Sequence, residues 1–288
     1  MKVKGIVQKK GLSVLALCLI LVPVVLVYGR RDVPPDFASL RAQKLVWTQI
    51  TNEIDRTIRF QAGLLWNQWD MEEIVLKPGE KKDFPGASAV KVLFSRGDTP
   101  LIYRLNPGPR YFFRQDRTGQ PDIFAEPPLE KTLDYFVPFV TTPPKVIDRM
   151  LEMADLSSDD VLYDLGSGDG RIVITAAKNY GCRGVGIDID LRRIREAREN
   201  AERHGVADLV TFIEQDALKA DLTKASVVTV YMSMQFNQKL RPVLESDLES
   251  GDRVAAHNYA VPGWAYRLDR YETLKTANGT EHIIFLYR

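Results

Sequence analysis

The residues that can do chemistry are concentrated between Tyr163 and Ala217. The segment Tyr163–Arg171 reads Tyr-Asp-Leu-Gly-Ser-Gly-Asp-Gly-Arg, and it follows an apolar run that predicts a buried strand. Glycines at a strand-to-helix turn let the backbone approach a ligand closely, and the next helix offers free N–H groups at its N-terminus. We therefore predict that this turn binds a ligand. The alternative is a tight strand-to-helix turn without one.

The spacing of the glycines excludes two common ligand classes. A dinucleotide fingerprint requires Gly-x-Gly-x-x-Gly, but here the third glycine, Gly170, comes one residue early and position 171 is Arg. A phosphate-binding P-loop requires Gly-Lys-Ser or Gly-Lys-Thr, which the segment lacks.

Two more acidic residues follow the next two predicted strands. Asp188 ends the run Gly184–Asp188, where a carboxylate can accept hydrogen bonds from both hydroxyls of a ribose. This spacing suits NAD or an adenosyl cofactor, and the alternative role of helix N-cap is better filled by Asp190. Asp216, after the run Val210–Ile213, can accept a hydrogen bond from an adenine amino group; alone, it would be a solvated loop residue.

Together these motifs closely resemble those of class I S-adenosylmethionine-dependent methyltransferases. The resemblance covers residues 129–288 and implies a doubly wound, mostly parallel α/β sheet of seven strands, the last one antiparallel. It also implies S-adenosyl-L-methionine as the cofactor, with Asp164 and the glycines facing its methionine part, Asp188 its ribose and Asp216 its adenine. The predicted cofactor-binding residues in these motifs are Asp164, Gly166, Ser167, Gly168, Asp169, Gly170, Asp188, Asp216 and Ala217.

A narrower resemblance lies upstream, in Tyr135–Pro144, which reads Tyr-Phe-Val-Pro-Phe-Val-Thr-Thr-Pro-Pro. It is similar to the motif that precedes the first helix in mitochondrial lysine methyltransferases of the ATP synthase c-subunit and the adenine nucleotide carrier, and in their bacterial relatives. By this resemblance Thr141 and Thr142 border the cofactor, and the methyl acceptor is a protein amine. Thr142 is equally consistent with capping the following helix.

The acceptor side is predicted from the ends of the later strands. The segment Val230–Met234 lacks the Asn/Asp-Pro-Pro-Tyr sequence usual in enzymes that methylate adenine or glutamine amide nitrogens. A lysine acceptor must lose a proton, because its reference pKa is about 10.4. Tyr231, Ser233 and His257 are the candidates to orient the nucleophile or take that proton. His257 is alternatively a hydrogen-bonded loop residue.

The elements that must position these residues alternate between strand and helix, which predicts parallel strands joined by crossover helices. Predicted helices cover 146–154, 171–180, 191–204 and 238–248, and predicted strands cover 161–165, 184–187, 210–213, 227–231, 253–256 and 283–287.

The N-terminal region is predicted to consist of an anchor and a small antiparallel β domain. Residues 1–30 carry a basic start and an uncharged run at 12–28, typical of a membrane anchor; a cleaved signal segment is the main alternative. Lysines and arginines flank both ends of this run, so the side of the membrane stays open. Residues 31–128 predict a helix over 36–53, followed by short strands between Gly and Pro turns. The methyltransferase domain then occupies 129–288.

Composition limits the remaining functions. The 288-residue chain has a net charge of +1, so no global basic field favours nucleic acid, and we expect none as a partner. Two cysteines, Cys18 and Cys182, allow neither a disulfide scaffold nor a CxxC zinc site, and no metal is expected. The alternatives to a protein-amine methyltransferase are one acting on a small molecule or lipid at the membrane, and a non-catalytic cofactor-binding module.

Overall fold

The computed structural model describes residues 47–64, 71–85, 88–126 and 140–288. In the described residues up to 126, eight strands form two four-stranded sheets, with strand orders β4-β1-β7-β8 and β3-β2-β5-β6. All pairings are antiparallel except that of β1 with β7, which is parallel. The strands are β1 (Trp47–Asn52), β2 (Ile58–Leu64), β3 (Glu72–Leu76), β4 (Lys81–Pro85), β5 (Val90–Arg96), β6 (Thr99–Leu105), β7 (Arg110–Gln115) and β8 (Pro121–Ala125).

The predicted helix over 36–53 is wrong at its C-terminal end, where the structure has strand β1. Thr48, Ile50 and Asn52 are buried, while Gln49 and Thr51 between them are partly exposed. This period of two is the burial pattern of a strand, and pairing with β4 and β7 overrides the helical spacing of the apolar residues. The rest of that predicted helix lies outside the described residues.

Residues 140–288 form a seven-stranded sheet in the order β11-β10-β9-β12-β13-β15-β14. Strands β9 to β13 are mutually parallel, and β15 runs antiparallel to both of its neighbours, which confirms the sheet implied by the methyltransferase resemblance. The elements are α1 (Pro144–Met153), β9 (Val161–Leu165), α2 (Arg171–Tyr180), β10 (Arg183–Asp188), α3 (Leu191–Arg203), β11 (Val210–Glu214), β12 (Val227–Val230), α4 (Met234–Asp247), β13 (Arg253–His257), β14 (Leu268–Lys275) and β15 (Glu281–Tyr287).

Each face of this sheet packs on a different layer. In β15, Ile283, Phe285 and Tyr287 join the apolar cluster that also contains the residues buried in the two N-terminal sheets. Ile284 and Leu286 point the other way, into the cluster formed with helices α1, α2 and α3. The N-terminal sheets therefore share a core with the methyltransferase sheet, and Leu45–Arg288 is one compact unit.

Polar contacts also join the two regions. The side-chain amide of Gln238 on α4 pairs with the backbone N–H and C=O of Ala125 at the end of β8, at 2.9 and 3.1 Å. Lys91 on β5 pairs with Glu281 on β15 at 2.7 Å. The predicted boundaries at residues 30 and 128 stay a prediction.

None of the helices within the described ranges is long and apolar enough to cross a membrane. The uncharged run at 12–28 lies outside those ranges.

Candidate cofactor and acceptor site

A cavity of about 360 Å³ opens at the carboxyl ends of β9, β10, β11 and β12, beside the segment that precedes α1. This is the edge at which open α/β sheets bind their ligands. Its lining includes the predicted residues Thr141, Thr142, Asp164, Gly166, Ser167, Asp169, Asp188, Asp216, Ala217 and Tyr231.

The glycine loop is held against the neighbouring strand by its own backbone. Gly166 N–H and Ser167 N–H both donate to the carbonyl of Ile187 on β10, at 2.8 and 2.9 Å. Gly166 has a φ of +83°, and a Cβ there would lie 2.9 Å from Met232 Sδ. A side chain at this position would therefore be strained and would crowd the wall of the cavity.

Two loop glycines predicted to bind the cofactor do not line the cavity. Gly168 turns its N–H to Asp188 Oδ2 at 2.8 Å. Gly170 is the N-cap residue of α2, with a φ of +77°, and a Cβ there would meet the Phe212 ring at 2.7 Å and Ala197 at 2.9 Å. Gly170 is thus required by packing between α2, α3 and β11.

Asp188 is fixed by two backbone groups. Its Oδ2 accepts from Gly168 N–H, and its Oδ1 accepts from Asp190 N–H at 2.9 Å. Each carboxylate oxygen keeps a further lone pair, so the group can still accept hydrogen bonds from a ligand in the cavity. Asp190 caps α3 by accepting from Arg192 N–H, so Asp188 is not needed as a helix cap.

Asp164 is the buried acid of the site. It is 2% exposed at the end of β9, and its Oδ1 accepts from the Thr229 hydroxyl of β12 at 2.7 Å. Burial, together with the charges of Asp188 and Asp169, raises the pKa of Asp164 to about 7, against the lowering by the hydrogen bond from Thr229. The group therefore titrates near neutrality.

Asp169 ties the glycine loop to the segment before α1. Its carboxylate pairs with Arg171, whose Nη1 donates to the backbone carbonyl of Thr142 at 3.2 Å. Burial alone would raise the pKa of Asp169, but the hydrogen bonds and charge of Arg171 outweigh it and lower the pKa. Asp169 is therefore a carboxylate that orders the loop.

Asp216 and Ala217 follow β11, the edge strand of the sheet, whereas the acceptor candidates follow β12 and β13. Asp216 Oδ1 accepts from Leu218 N–H at 3.0 Å and starts a single 3-10 turn over Ala217–Lys219. At the end of the neighbouring strand β10, Ile189 is 73% exposed although it is apolar. Ile189 and Leu218 both line the cavity and give this end an apolar wall.

The structure places the three catalytic candidates differently. Tyr231 lines the cavity, and its hydroxyl accepts from Asn258 Nδ2 at 3.2 Å. Ser233 is the N-cap of α4, where its hydroxyl accepts from Phe236 N–H. His257 is fully buried behind the wall, with its ring centroid 3.9 Å from that of Tyr231.

Thr142 does not cap α1, whose N-cap residue is Pro143. Its hydroxyl lies 3.2 Å from His257 Nδ1, and His257 Nε2 lies 2.9 Å from His282 Nδ1. These contacts link Thr142 in the cavity wall, through His257, to His282 on β15. His282 was not among the predicted site residues, because only tertiary packing brings it to His257.

Several other wall residues were missed. Most of them lie in the segments after β10 and β12. Their closeness in sequence to Asp188 and Tyr231 was the signal that could have predicted them. They are Val140, Arg171, Ile172, Ile187, Ile189, Asp190, Arg192, Arg193, Gln215, Leu218, Met232, Gln235, Phe236 and Lys239.

The wall fits S-adenosyl-L-methionine on three counts. Ser167 lines this cavity, and its Oγ is a buried polar atom without a hydrogen-bond partner among the described residues. The absent side chain of Gly166 leaves room beside Met232. The carboxylates of Asp188 and Asp216, with the apolar Ile189 near them, match the hydroxyl donors, amino donor and flat ring of an adenosine.

Comparison with known proteins agrees with this geometry. The sequence model of the ANTKMT methyltransferase domain matches residues 164–267. A protein-lysine N-methyltransferase of Saccharolobus islandicus is 42% identical over 153 residues, which cover 52% of this chain and 92% of the relative. The human lysine N-methyltransferase of the ATP synthase c-subunit is 35% identical over 49% of this chain and 58% of its own length.

Among the solved structures that are similar, we note an RNA methyltransferase from Salinibacter ruber in complex with S-adenosyl-L-homocysteine, 47% identical, with a TM-score of 0.47, covering 51% of this chain and 92% of that one.

The strand order, the cavity at the carboxyl edge and the acidic residues at successive strand ends define a class I S-adenosylmethionine-dependent methyltransferase. Because it covers nearly the whole of a relative with 42% identity, the chain belongs to the protein-lysine N-methyltransferase family. The predicted enzyme class and cofactor are thereby confirmed.

Proposed function

We propose that this enzyme transfers a methyl group from S-adenosyl-L-methionine to the side-chain amine of a lysine in a protein. The observation that carries the proposal is the 42% identity across 92% of a relative named for protein-lysine methylation. The acceptor protein itself is a separate question, since the chain spans only 58% of the human enzyme named for the ATP synthase c-subunit.

The residues assigned to the cofactor divide the cavity into three parts. Asp188 serves the ribose, Asp216 and the apolar side chains near it serve the adenine, and Asp164 with Gly166 serves the methionine part. When bound, S-adenosyl-L-methionine supplies an electrophilic methyl group on a sulfonium. Much of the catalytic effect of the chain then comes from placing the acceptor nitrogen in line with that group.

Tyr231 is the candidate that touches the acceptor, because it alone of the three predicted catalytic residues lines the cavity. Its hydroxyl is oriented by Asn258, and its ring is held against His257. Ser233 acts instead as a helix cap, and His257 acts through its contacts with Tyr231 and Thr142.

The test is to incubate the purified enzyme with S-adenosyl-L-methionine labelled on its methyl group and with membrane and soluble extracts. We expect label in protein, on lysine by mass spectrometry, that protease removes and ribonuclease does not. The variant Asp188→Ala is the matched control for cofactor binding. Label lost on ribonuclease treatment, or label extracted with lipid, would replace the proposal by RNA or lipid methylation. S-adenosyl-L-homocysteine binding without turnover would indicate a non-catalytic module.

We also propose that residues 12–28 hold the enzyme at a membrane. The support is the uncharged run between basic flanks. After carbonate washing, membranes should retain the full-length chain and release a version that starts at Arg31. Recovery of the intact full-length chain in the soluble fraction would contradict this.

A further inference from the structure

Arg104, a cation of the N-terminal sheets, packs on an aromatic residue that adjoins Tyr231 of the cavity wall. The guanidinium of Arg104, on β6, lies 5.8 Å from the ring centroid of Tyr259, which follows β13. The Tyr259 hydroxyl donates to Asn106 Oδ1, just beyond β6, at 2.8 Å. Strand β6 therefore holds Tyr259 through two contacts.

Tyr259 connects this strand to the cavity wall. Its ring is stacked near Tyr231, with centroids 6.3 Å apart and planes inclined by 18°. Tyr231 in turn lines the cavity and packs on His257. Two aromatic rings thus separate Arg104 from the cavity.

No carboxylate of the described residues forms an ion pair with Arg104. Lys91, which is opposite Arg104 in the register of β5 and β6, pairs with Glu281 at 2.7 Å. The buried Nε of Arg104 has no hydrogen-bond partner among the described residues. A half-buried charge outside an ion pair acts over a longer range than a solvated one.

The side chains of His257 and His282 are kept neutral, in part by Arg104. Burial, then the neighbouring His282, then Arg104 lower the pKa of His257 well below its ordinary value. Burial and Arg104 likewise lower the pKa of His282. The other titratable groups packed against these rings are Tyr231, Tyr259 and the ion pair of Lys91 with Glu281. The cavity that Tyr231 borders is also lined by Asp164, Asp188 and Lys239.

We propose that Arg104 is a positioning residue of the acceptor site, whose charge disfavours a second cation beside Tyr231 and so favours the neutral form of the lysine amine. The inference rests on the proposed lysine acceptor. It gives the N-terminal sheets a part in methyl transfer, because the neutral amine is the form whose lone pair can form the new nitrogen–carbon bond. The proton leaves the ammonium for water before that bond forms.

The first measurement needs no acceptor. The chain has three histidines, His204, His257 and His282, so imidazole NMR signals of the labelled full-length protein can be assigned with single His→Gln variants. Arg104→Gln should raise the pKa of His257 and His282 by about half to one unit, and Arg104→Lys should not. The matched control is Arg117→Gln, because Arg117 makes the same type of contact with Tyr266, at 4.2 Å.

The second measurement is the pH profile of methyl transfer at limiting acceptor, with the extracts described above as the acceptor source. Arg104→Gln should move the acid limb to higher pH, with a rate at pH 7 about three to ten times lower. Arg104→Lys, which keeps the positive charge, should show the wild-type pH profile. Both variants should bind S-adenosyl-L-homocysteine with unchanged affinity, because Arg104 does not line the cavity.

Unchanged histidine titrations in Arg104→Gln would overturn the proposal, as would shifted titrations with an unmoved acid limb. A pH profile of methyl transfer in Arg104→Lys that differs from that of the wild type would also overturn the proposal. The shape of the arginine side chain, and not its charge, would then matter. Absence of protein methylation by the wild-type enzyme would refute the proposed function separately, and the NMR comparison would still decide whether Arg104 sets the charge environment of the two histidines.

Discussion

Two buried aspartates, one in each region of the molecule, show how differently the regions use the same side chain. Burial raises the pKa of Asp164 in the methyltransferase sheet to about 7, and that of Asp122 on β8 to about 6. Asp122 accepts from the Tyr103 hydroxyl and from two backbone N–H groups, of Ile123 at 2.7 Å and Ala265 at 3.2 Å. Asp164 accepts from Thr229 and borders the cavity.

Burial of an aspartate does not by itself mark a ligand site, because Asp122 is as buried as Asp164 but does not line the cavity. Asp122 is satisfied by protein groups, and its bond to Ala265 joins the N-terminal sheets to the methyltransferase region. Asp164 sits at the carboxyl end of a parallel strand and keeps accepting capacity toward the cavity. Substitution of Asp122 should therefore alter stability, and substitution of Asp164 should alter cofactor binding.

The largest expected contrast is between Asp188→Ala and Asp122→Ala. Asp188→Ala should weaken S-adenosyl-L-homocysteine binding by about 2–4 kcal/mol, because the hydrogen bonds of a charged acceptor to the ribose are lost. Asp122→Ala should leave that affinity unchanged but lower the free energy of unfolding by about 2–3 kcal/mol, since buried donors lose their acceptor. Calorimetry and chemical denaturation on both variants test the contrast. Equal loss of affinity in the two would remove the distinction between the regions.

A second test concerns a loop glycine that serves packing. Gly170→Ala should lower the free energy of unfolding by about 2–3 kcal/mol, because the new methyl group overlaps Phe212 and Ala197. The matched control is Gly181→Ala at the other end of α2, where φ is +72° and no atom lies within 4 Å of the new methyl. It should cost only about 1 kcal/mol for the left-handed backbone. Similar losses in denaturant unfolding would refute the packing role.

The pH dependence of cofactor binding tests Asp164. Because its pKa is raised to about 7, the carboxyl is largely protonated below that pH and ionised above it. Binding of the cationic amino group of S-adenosyl-L-homocysteine favours the ionised form, so affinity should rise with pH toward 7 by up to about tenfold per unit, or 1.4 kcal/mol. Calorimetry from pH 5 to 8 should show a flat profile for Asp164→Asn and the wild-type slope for Asp122→Asn. A slope retained in Asp164→Asn would assign the titration to another group.

The same carboxyl affects the stability of the free enzyme with the opposite sign. A group whose folded pKa is raised stabilises the fold below its unfolded pKa of about 3.9, and this contribution is lost as pH rises through about 7. Asp164→Asn should therefore gain stability relative to the wild type between pH 5 and pH 8 in denaturant titrations. A constant difference over that range would contradict the raised pKa.

The smallest expected effect is at the contact between Gln238 and Ala125. Gln238→Ala should lower the free energy of unfolding by about 1–1.5 kcal/mol, because both backbone groups of Ala125 lose their side-chain partner. Gln238→Glu, which keeps the acceptor and loses the donor, should fall between the wild type and the alanine variant. No loss in either variant would mean that this contact does not contribute to holding the N-terminal sheets.

Local sequence patterns sufficed to predict the alternation of helices and strands from α1 to β13 and the identity of the cofactor. Local signals sufficed there, because the glycine turn, the apolar strands and the acids at strand ends each occupy one short segment. The predicted helix at 171–180 and the strand at 161–165 match α2 and β9 to the residue. Strand β14 was missed because most of its residues are polar and partly exposed, without the apolar run that marks a strand.

Only the tertiary structure decided which of these residues face the cavity and which pack behind it. Gly170 belongs to the glycine motif whether it faces the cavity or not. Its neighbours Phe212 on β11 and Ala197 on α3 show that it serves packing. The contacts of Thr142 with His257 and of His257 with His282 join segments 115 and 25 residues apart. Arg104 and Asn106 come close to Tyr259 only because two separate sheets share one core. Contacts between residues so far apart in the chain leave no local pattern, so the acceptor side was decided by packing.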